Sequence, residues 1–279
     1  MDLPVLSIVE DNLPAAWEEA VLTLWESGRS NPCQYQSSDV PMDSRDCVMS
    51  LTIRDPFSEP RIHLAMPCGL EELEMYVQEV IDGVHDHWID PAHGKWQYSY
   101  HERMASYKVP GIEKPINQLD YVVNALIDCP YTRRAQISMW KPWEDEGIPD
   151  PACLQNLWFR IFDDTLVLVA HMRSNDSFTA SFMNMYAFTE LQKVVAERVS
   201  KGLGRDIKVG QYTHLANSFH IYEKDFRAFV KFMELQNRRS FEDRTWNTTD
   251  PDIAEQITDA KNRVKLALQR EKETGRKGL

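Results

Sequence analysis

The chain has 279 residues, of which 43% are hydrophobic and 27% charged, a composition typical of a globular protein, and this length allows one large core or two small ones. Its net charge of -12 argues against a binder of nucleic acid polymers, and no apolar run has the length of a membrane-spanning helix. The five cysteines lack paired spacing, and the N-terminus MDLPVLSIVEDN lacks a signal-peptide pattern. These features predict a cytoplasmic protein with reduced thiols and without a disulfide framework or a structural zinc site.

The first half of the chain contains helix and strand patterns separated by polar loops. Asn12 followed by Pro14 is typical of a helix start, and Pro130 is typical of the residues that follow a helix end. The predicted order is helix 15–25, loop 27–46, strand 47–54, helix 70–82, loop 83–115 and helix 116–128.

The second half has stronger strand patterns. The predicted order is strand 134–140, strand 153–162, strand 165–173, helix 178–200, strand 207–222 and helix 223–237. Helix 223–237 carries an apolar stripe of Phe226, Phe229, Val230 and Met233. The basic segment after residue 260 predicts a further, solvated helix at the C-terminus. Because no repeat or Pro/Gly-rich linker interrupts the pattern, the sequence predicts one α+β domain over residues 1–279.

Asp163-Asp164 lies between two apolar, β-branched runs and predicts a two-residue hairpin turn. Regular pairing places Cys153 opposite Ser174, whereas one bulged residue places it opposite Arg173. Either way a guanidinium lies near the thiol, and a fixed positive charge favours the nucleophilic thiolate. A buried cysteine acting as a small hydrophobe is the alternative for Cys153, and Cys68, in Pro-Cys-Gly, is the other candidate for a reactive thiol.

Four segments form an ordered series across residues 131–222. They are RRAQISMW, DPACLQNLWFRI, HMRSNDSFTASFMNMYAFTELQ and THLANSFHIY. Paired arginines, a cysteine after a proline-containing loop, an Arg-Ser-x-Asp segment, a helical asparagine and a late His-x-Tyr follow one another in this order. In this series the chain resembles the thymidylate synthase family. The resemblance covers about a third of the chain, and residues 1–46 and 240–279 are expected to be peripheral.

The resemblance implies a fold, an assembly and a reaction. The fold is an α+β structure in which a twisted mixed β-sheet packs against helices, and one face of the sheet forms a homodimer interface with shared active sites. The reaction transfers a one-carbon unit from 5,10-methylenetetrahydrofolate to C5 of a pyrimidine nucleoside monophosphate, most simply dUMP to dTMP. The alternatives are hydroxymethylation of dUMP, dCMP or CMP, with water in place of hydride, and nucleotide binding without catalysis.

The resemblance also implies catalytic roles for four residues. Cys153 adds to C6 of the pyrimidine, Arg173 binds phosphate and holds the thiolate charge, and Asp176 helps to hold the base. Glu79, in YVQEVIDG, is the candidate general acid/base that acts on O4 through water. The plainer interpretations are a surface ion pair for Arg173, a helix cap for Asp176 and an exposed helical position for Glu79.

The base and the sugar have three implied partners. Asn184 pairs with O4 and N3–H of uracil, because an amide offers both a donor and an acceptor. Relatives that act on cytosine tend to carry aspartate at this position. His220 and Tyr222 lie two apart on a predicted strand and share one face, and the resemblance implies that they hold the 3′-hydroxyl.

Four further residues are implied in phosphate binding. Ser174 adds a hydroxyl beside Arg173 in the sequence, and Arg45 is the candidate mobile arginine. Arg133 and Arg134 correspond to arginines that reach into the partner subunit's phosphate site, which requires a symmetric dimer. A turn cap at Ser174 and a solvated basic pair at Arg133 and Arg134 are the alternatives.

The folate site is implied less closely by the sequence. Trp88 or Trp96 faces the folate in this interpretation, and Tyr98 or Tyr100 lines the same site; Trp88 and Tyr100 are the chosen candidates. Two positions depart from the family pattern, since Leu154 replaces a histidine and residues 180–183 replace a Gly-Leu-Pro segment. His85-Asp86-His87 supplies only two histidine ligands, so no metal site is predicted.

Overall fold

The computed structural model describes residues 2–33 and 42–274. Its strands are β1 (Val5–Glu10), β2 (Arg29–Cys33), β3 (Met42–Ile53), β4 (Ile62–His63), β5 (Gln136–Ser138), β6 (Leu154–Phe162), β7 (Thr165–Met172), β8 (Asn175–Asp176), β9 (Lys208–Tyr222) and β10 (Thr245–Trp246). Its α-helices are α1 (Leu13–Ser27), α2 (Leu70–Asp82), α3 (Tyr100–Ala105), α4 (Gln118–Asp128), α5 (Pro142–Asp145), α6 (Ser181–Leu203), α7 (Phe226–Gln236) and α8 (Pro251–Thr274). None of these helices is long and apolar enough to cross a membrane.

Helix α1 begins at Leu13, two residues before the predicted start, with Asn12 as the predicted cap, and it packs into the core. The Asn12 side chain accepts a hydrogen bond from the Ala15 N–H at 3.0 Å, which satisfies a backbone donor of the first turn. Trp17 is fully buried, and its indole N–H donates to the Ser177 carbonyl at 2.9 Å. This bond fixes α1 to the segment that leads into α6.

The main sheet is mixed. Its order is β1-β3-β9-β7-β6-β5, with β2 added beside β3 and β8 beside β9, while β4 and β10 form a separate two-stranded sheet. β9 pairs antiparallel with β3 and parallel with β7, and β6 and β7 form an antiparallel hairpin. The carboxyl ends of β7 and β9 therefore lie at the same edge as the start of β6.

The two faces of this sheet have different surroundings. Along β7, buried Leu166, Leu168 and Met172 alternate with half-exposed side chains, as expected for a strand with one buried face. Helices α1 and α6 pack against the sheet on its buried side. The opposite face carries half-exposed apolar residues, which include Trp158, Val167, Val169 and Leu215.

The predicted hairpin is confirmed, including its turn. Asp163 and Asp164 have φ angles of 47° and 58°, the left-handed pair that a type I′ turn requires. The register shifts between Leu154 and Asn156, so the bulged alternative is the one adopted. As a result the Arg173 N–H donates to the Cys153 carbonyl at 2.8 Å, and the two residues are neighbours.

The two predicted loops are wrong in part. Within 27–46, β2 and the start of β3 form a strand pair, whereas residues 34–41 lie outside the described residues. β2 is almost wholly exposed and polar, so it lacks the apolar alternation that marks a half-buried strand. Within 83–115, the six-residue helix α3 begins after Ser99, whose side chain accepts the Glu102 N–H. A helix of six residues is too short to show a helical period of apolar residues in the sequence, so it was not predicted.

The C-terminal helices also depart from expectation. On α7, Phe229 and Phe232 are buried, whereas Val230, which the predicted stripe included, is 41% exposed. The terminal helix is longer than its basic segment and is not simply solvated, because α8 packs against α2. Ion pairs support this contact, with Lys261 Nζ 3.7 Å from Glu74 and Arg263 Nε 3.3 Å from Glu71.

Candidate active site

A cavity of about 560 Å³ opens at the sheet edge where β7 and β9 end and β6 begins. We call it the Cys153 cavity. Its lining combines polar side chains with apolar and aromatic ones, as small-molecule sites commonly do. The lining residues are Tyr76, Tyr100, Asp150, Cys153, Met172, Ser174, Asn175, Asp176, Ala180, Met183, Asn184, His220, Tyr222 and Lys224. Seven of the residues predicted from the sequence are among them, namely Tyr100, Cys153, Ser174, Asp176, Asn184, His220 and Tyr222.

Cys153 lies just before β6 with Arg173 beside it. Burial raises the pKa of the Cys153 thiol, the Arg173 charge lowers it, and the Asp150 charge raises it again. The Arg173 guanidinium donates to the Ala152 carbonyl at 3.1 Å and to the Pro151 carbonyl at 2.5 Å. Arg173 thus holds the loop that carries the cysteine, and it lies behind the cavity lining rather than in it.

Two other cysteines lack this electrostatic support. Burial raises the pKa of Cys68 to about 11, and the neighbouring Glu72 charge adds to the shift. Burial raises the pKa of Cys47 to about 12, and the Asp46 charge acts in the same direction. Of these three thiols, Cys153 is the one whose pKa an arginine lowers. Of the two cysteines proposed from the sequence as reactive thiols, Cys153 and Cys68, the electrostatic surroundings therefore favour Cys153.

Asp176 has a structural task as well as a place in the lining. Its Oδ1 accepts the N–H groups of Phe178 and Thr179 at 3.1 and 2.9 Å, and its Oδ2 accepts the Thr179 hydroxyl. Helix α6 begins at Ser181, so Asp176 caps the turn before the helix rather than the helix itself. A ligand in the cavity therefore meets a carboxylate that local hydrogen bonds already orient.

Asn184 lies on the first turns of α6 and faces the cavity. The Tyr76 hydroxyl donates to Asn184 Oδ1 at 2.5 Å. Burial raises the pKa of Tyr76 well above its ordinary value, and the Glu79 charge acts in the same direction, so the phenol keeps its proton at neutral pH. The amide is thus held by a partner on α2 that the sequence motifs did not reveal.

His220 is held by a relay across β3 and β9. The Ser218 hydroxyl donates to Asp46 Oδ2 at 2.9 Å, so its oxygen accepts from His220 Nδ1–H at 3.1 Å. Burial lowers the pKa of His220, although the Asp176 and Asp46 charges oppose this effect, and the ring is neutral at neutral pH. Within the described ranges, buried His220 Nε2 has no hydrogen-bond partner. It is therefore placed as an acceptor for a ligand hydroxyl, with Tyr222 packed 4.6 Å away.

A second pocket of about 180 Å³ adjoins the Cys153 cavity. We call it the aromatic pocket. It is lined by Tyr76, Glu79, Val80, Trp96, Tyr98, Ser99 and Tyr100, so Tyr76 and Tyr100 form a wall between the two spaces. The predicted residue Glu79 lies here and not in the Cys153 cavity.

The side chains around the aromatic pocket hold one another. Glu79 Oε1 lies 2.6 Å from His85 Nδ1, and the His85 ring stacks on Trp88 with centroids 3.7 Å apart. The Trp88 indole N–H donates to Glu271 of α8 at 2.7 Å, and Trp88 packs edge-on against Trp96 at 5.2 Å. Of the two tryptophans considered from the sequence, Trp96 lines the pocket and Trp88 lies behind it.

The three remaining predicted arginines are not among the lining residues of either pocket. Arg45 donates to the Trp25 carbonyl, and its guanidinium lies 5.0 Å from the Trp25 ring centroid. Arg133 and Arg134 are exposed beside β5 at the sheet edge. The Arg133 carbonyl accepts the Trp158 indole N–H at 3.1 Å, which places this pair next to the half-exposed sheet face.

Sequence reasoning missed several residues of the site. Tyr76 reads as a core position of an amphipathic helix, and Asp46 and Ser218 are brought together only by the β3–β9 pairing. Lys224 lies two residues after the His-x-Tyr motif and adds a positive charge at the cavity lining. Its position close to this motif was the one feature of the sequence that could have indicated Lys224 as a site residue.

Comparisons with known proteins agree on one family. The family model described as thymidylate synthase matches residues 71–266. The protein named "Putative thymidylate synthase" from Methanocaldococcus jannaschii is 25% identical over 234 residues, which is 82% of this chain and 96% of that protein. The protein of the same name from Methanococcoides burtonii is 27% identical over 220 residues, or 78% and 90% of the two chains.

A solved structure supports the same fold. Thermostable thymidylate synthase A from Bacillus subtilis superposes with a TM-score of 0.62 over 80% of this chain and 84% of that chain, at 18% identity. The predicted α+β architecture, a twisted mixed sheet packed with helices, is thereby confirmed. Because the family model spans most of the chain, the protein belongs to the thymidylate synthase family.

Proposed function

We propose that the protein transfers a one-carbon unit to C5 of a pyrimidine nucleoside monophosphate, most simply converting dUMP to dTMP. The observation that carries this proposal is the convergence of Cys153, Asn184 and His220 on one cavity. These side chains supply a nucleophile, a group that can pair with the base, and an acceptor for a sugar hydroxyl. Retention of all three argues for catalysis rather than nucleotide binding alone.

The nucleophilic step follows from the placement of Cys153. Its thiolate adds to C6, the C5–C6 double bond opens, and the electron pair moves towards C5 and O4. The Asn184 amide N–H stabilises the negative charge that develops on O4. Arg173 favours the thiolate form of the nucleophile and releases it again without changing its own charge, because a guanidinium stays protonated.

Other groups hold the nucleotide. Ser174, next to Arg173 in the chain, offers a hydroxyl to the phosphate, and His220 Nε2 accepts a hydrogen bond from the sugar. Asp176 keeps its capping bonds and presents a fixed negative charge near the base. Arg45 takes part in phosphate binding only if it leaves the Trp25 carbonyl, in keeping with the proposed mobile role.

The aromatic pocket suits a flat heterocyclic co-substrate. Trp96, Tyr98 and Tyr100 provide ring faces and edges, and Glu79 provides a carboxylate within the same lining. We propose that the ring system of 5,10-methylenetetrahydrofolate binds there, in front of Trp88, and that its one-carbon unit extends past Tyr76 and Tyr100 to the pyrimidine in the Cys153 cavity. When bound, the folate supplies the one-carbon unit. We propose that Glu79 moves protons through water past Tyr76, which lies between Glu79 and the Cys153 cavity.

A symmetric dimer completes the proposed site. The half-exposed face of the sheet bears Trp158 and Phe162, and the Arg160 guanidinium lies 4.2 Å from the Phe162 ring centroid. Such an apolar face is suited to an identical face of a second copy. Arg133 and Arg134 lie beside it, exposed, so a dimer built on this face brings them towards the partner's phosphate site.

The test of the nucleophile compares Cys153→Ser with Cys68→Ser. Cys153→Ser should reduce tritium release from C5-labelled dUMP by about 1,000-fold or more and abolish covalent capture of 5-fluoro-dUMP. Cys68→Ser should leave both measurements close to those of the unmodified protein. Full activity in Cys153→Ser would end this proposal.

The mass of the product distinguishes methyl from hydroxymethyl transfer. The protein is incubated with methylenetetrahydrofolate and with dUMP, dCMP or CMP in turn, and the nucleotides are analysed by mass spectrometry. We expect dUMP to gain one methyl group. A hydroxymethyl product would mean that water, not hydride, completes the reaction.

The shared site is tested by subunit exchange. Inactive Cys153→Ser and inactive Arg134→Ala proteins are mixed in equal amounts, so that each mixed dimer contains one intact site. Random exchange should restore about a quarter of the original activity. Absence of recovery, when exchange itself is demonstrated with labelled subunits, would contradict a shared site.

A further inference from the structure

The Asn184 amide has two possible orientations, and each can form hydrogen bonds with a different kind of pyrimidine. With Nδ2 towards the ligand, the amide donates to a 4-oxo group such as O4 of uracil. With Oδ1 towards the ligand, it accepts from a 4-amino group such as that of cytosine. Selection between the bases therefore requires a neighbour that holds the amide in one orientation.

Tyr76 is that neighbour. Its hydroxyl lies 2.5 Å from Asn184 Oδ1 and is the donor in this bond. No hydrogen bond engages Asn184 Nδ2 among residues 2–33 and 42–274, and Asn184 lines the cavity, so the N–H groups remain for a ligand. A second lone pair on Oδ1 remains for the N3–H of a 4-oxo pyrimidine.

Rotation of the amide carries a cost. It would turn Nδ2 towards the phenol and remove the acceptor of the phenol proton, which burial and the Glu79 charge prevent from dissociating. A phenol oxygen is a weak acceptor, since its lone pair is shared with the ring. A buried hydroxyl proton without an acceptor is disfavoured strongly enough to change selectivity by up to about a hundredfold.

We infer that Tyr76 is a specificity-determining residue, which fixes the Asn184 amide so that the site selects 4-oxo over 4-amino pyrimidine nucleotides. This inference rests on the proposed function for the identity of the ligand. Tyr76 acts through Asn184 and is a positioning residue for base selection. It is also distinct from Glu79, which lies one helical turn further along α2 on the other side of the wall.

The first experiment measures base selection in Tyr76→Phe. Dissociation constants for dUMP and dCMP are determined by calorimetry, and kcat/KM is determined for both nucleotides with methylenetetrahydrofolate. The dUMP preference should fall by about tenfold or more in Tyr76→Phe. The matched control is Tyr107→Phe, which loses a hydroxyl bond of 2.7 Å to the Trp140 carbonyl and lines neither the Cys153 cavity nor the aromatic pocket. It should keep the original ratio.

The second experiment uses the unmodified protein with three nucleotides that differ at C4. dUMP has an oxo group, the 2-pyrimidinone analogue has hydrogen, and dCMP has an amino group. A fixed amide predicts that dUMP binds most tightly and dCMP most weakly, because two donors then face each other. A freely rotating amide would place dCMP above the pyrimidinone analogue and overturn the inference.

The outcomes separate this inference from the proposed function. If the protein selects dUMP in binding and Tyr76→Phe weakens that selection without any one-carbon transfer, the inference stands and the proposed reaction fails. If one-carbon transfer occurs but Tyr76→Phe keeps the original dUMP:dCMP ratio, the inference is overturned. Preference of the unmodified protein for dCMP, or binding of neither nucleotide, also overturns it.

Discussion

The Cys153 cavity and the aromatic pocket share the wall formed by Tyr76 and Tyr100, yet their polar groups are used differently. In the cavity, Asn184 Nδ2 and His220 Nε2 have no partner within the described parts of the chain, so a ligand can take them. In the aromatic pocket, Glu79 is already paired with His85, which stacks on Trp88. The first space therefore offers directional hydrogen bonds, whereas the second offers mainly shape and ring surfaces.

The contrast is strongest at Arg173, which holds the loop that carries Cys153 and is not among the residues that line the aromatic pocket. Arg173→Ala should lower kcat/KM for dUMP by about 100-fold, because the loop that carries Cys153 loses its support and the thiolate becomes less available. Since Arg173 lowers the Cys153 pKa and Asp150 raises it, the two substitutions should shift alkylation in opposite directions. The iodoacetamide rate at pH 8 should fall in Arg173→Ala and rise in Asp150→Asn. Equal rates in both variants would contradict this electrostatic account.

The next effect concerns the fully buried His214, which bonds to Tyr212 and to the cavity residue Asn175. Burial lowers the pKa of His214 from 6.5 to about 3, and the His171 charge adds to the shift. Below pH 6.5 His214 is protonated in the unfolded chain but stays neutral in the folded chain down to about pH 3. The free energy of unfolding should therefore fall by up to about 1.4 kcal/mol per pH unit between pH 6.5 and 3.

Denaturant titrations of unfolding at several pH values would measure this dependence. His214→Gln should flatten the pH dependence, because glutamine does not titrate. It should also lower the free energy of unfolding at pH 7, because the bonds to Tyr212 and Asn175 are disturbed. His93→Gln, at an exposed position, is the matched control and should keep the original slope between pH 6.5 and 5, above the range in which its partner Asp90 takes up a proton. A His214→Gln protein with an unchanged slope would assign the acid sensitivity to other groups.

A smaller effect is expected in the aromatic pocket. Glu79→Gln weakens the bond that holds His85 against Trp88 and should lower kcat/KM for methylenetetrahydrofolate by about tenfold. The dissociation constant for dUMP should change by less than about twofold, because Glu79 does not line the Cys153 cavity. Loss of dUMP binding, or a fall in kcat of about 100-fold, would show that Glu79 reaches the pyrimidine more directly.

The smallest effect lies outside both pockets. Asp164 has a positive φ, so Asp164→Gly should relieve backbone strain and raise the free energy of unfolding by about 0.5 kcal/mol. The exposed ion pair with Arg205 that this change removes contributes little. Activity should be unchanged, because the turn and Cys153 lie at opposite ends of the hairpin. A change in kcat would indicate coupling along β6 and β7.

Local patterns predicted the parts of the fold in which one face is apolar and the ends are marked. α2 has its predicted limits because Gly69 and Gly83 flank an amphipathic run, and Gly83 takes the left-handed conformation at its end. The β6–β7 hairpin was predictable from alternation and its turn. β2 was not, because a polar edge strand is held by pairing with β3 rather than by burial.

The site was predictable where chemistry follows sequence order. Cys153, Ser174, Asn184, His220 and Tyr222 belong to ordered motifs, and all line the cavity. The groups that orient them were not predictable in this way. Tyr76 is 108 positions from Asn184, and Asp46 is 172 positions from Ser218, so only tertiary pairing reveals these contacts.

Strand β9 also has a consequence for synthesis of the chain. β3 pairs along most of its length with β9, which follows it by more than 150 residues. While the ribosome makes the intervening segment, Met49, Leu51 and Ile53 have no antiparallel partner and their apolar side chains lack their final cover. A nascent chain that stops before β9 should therefore associate with chaperones or aggregate. Release of the chain from such association is expected only after residues 208–222 have left the exit tunnel.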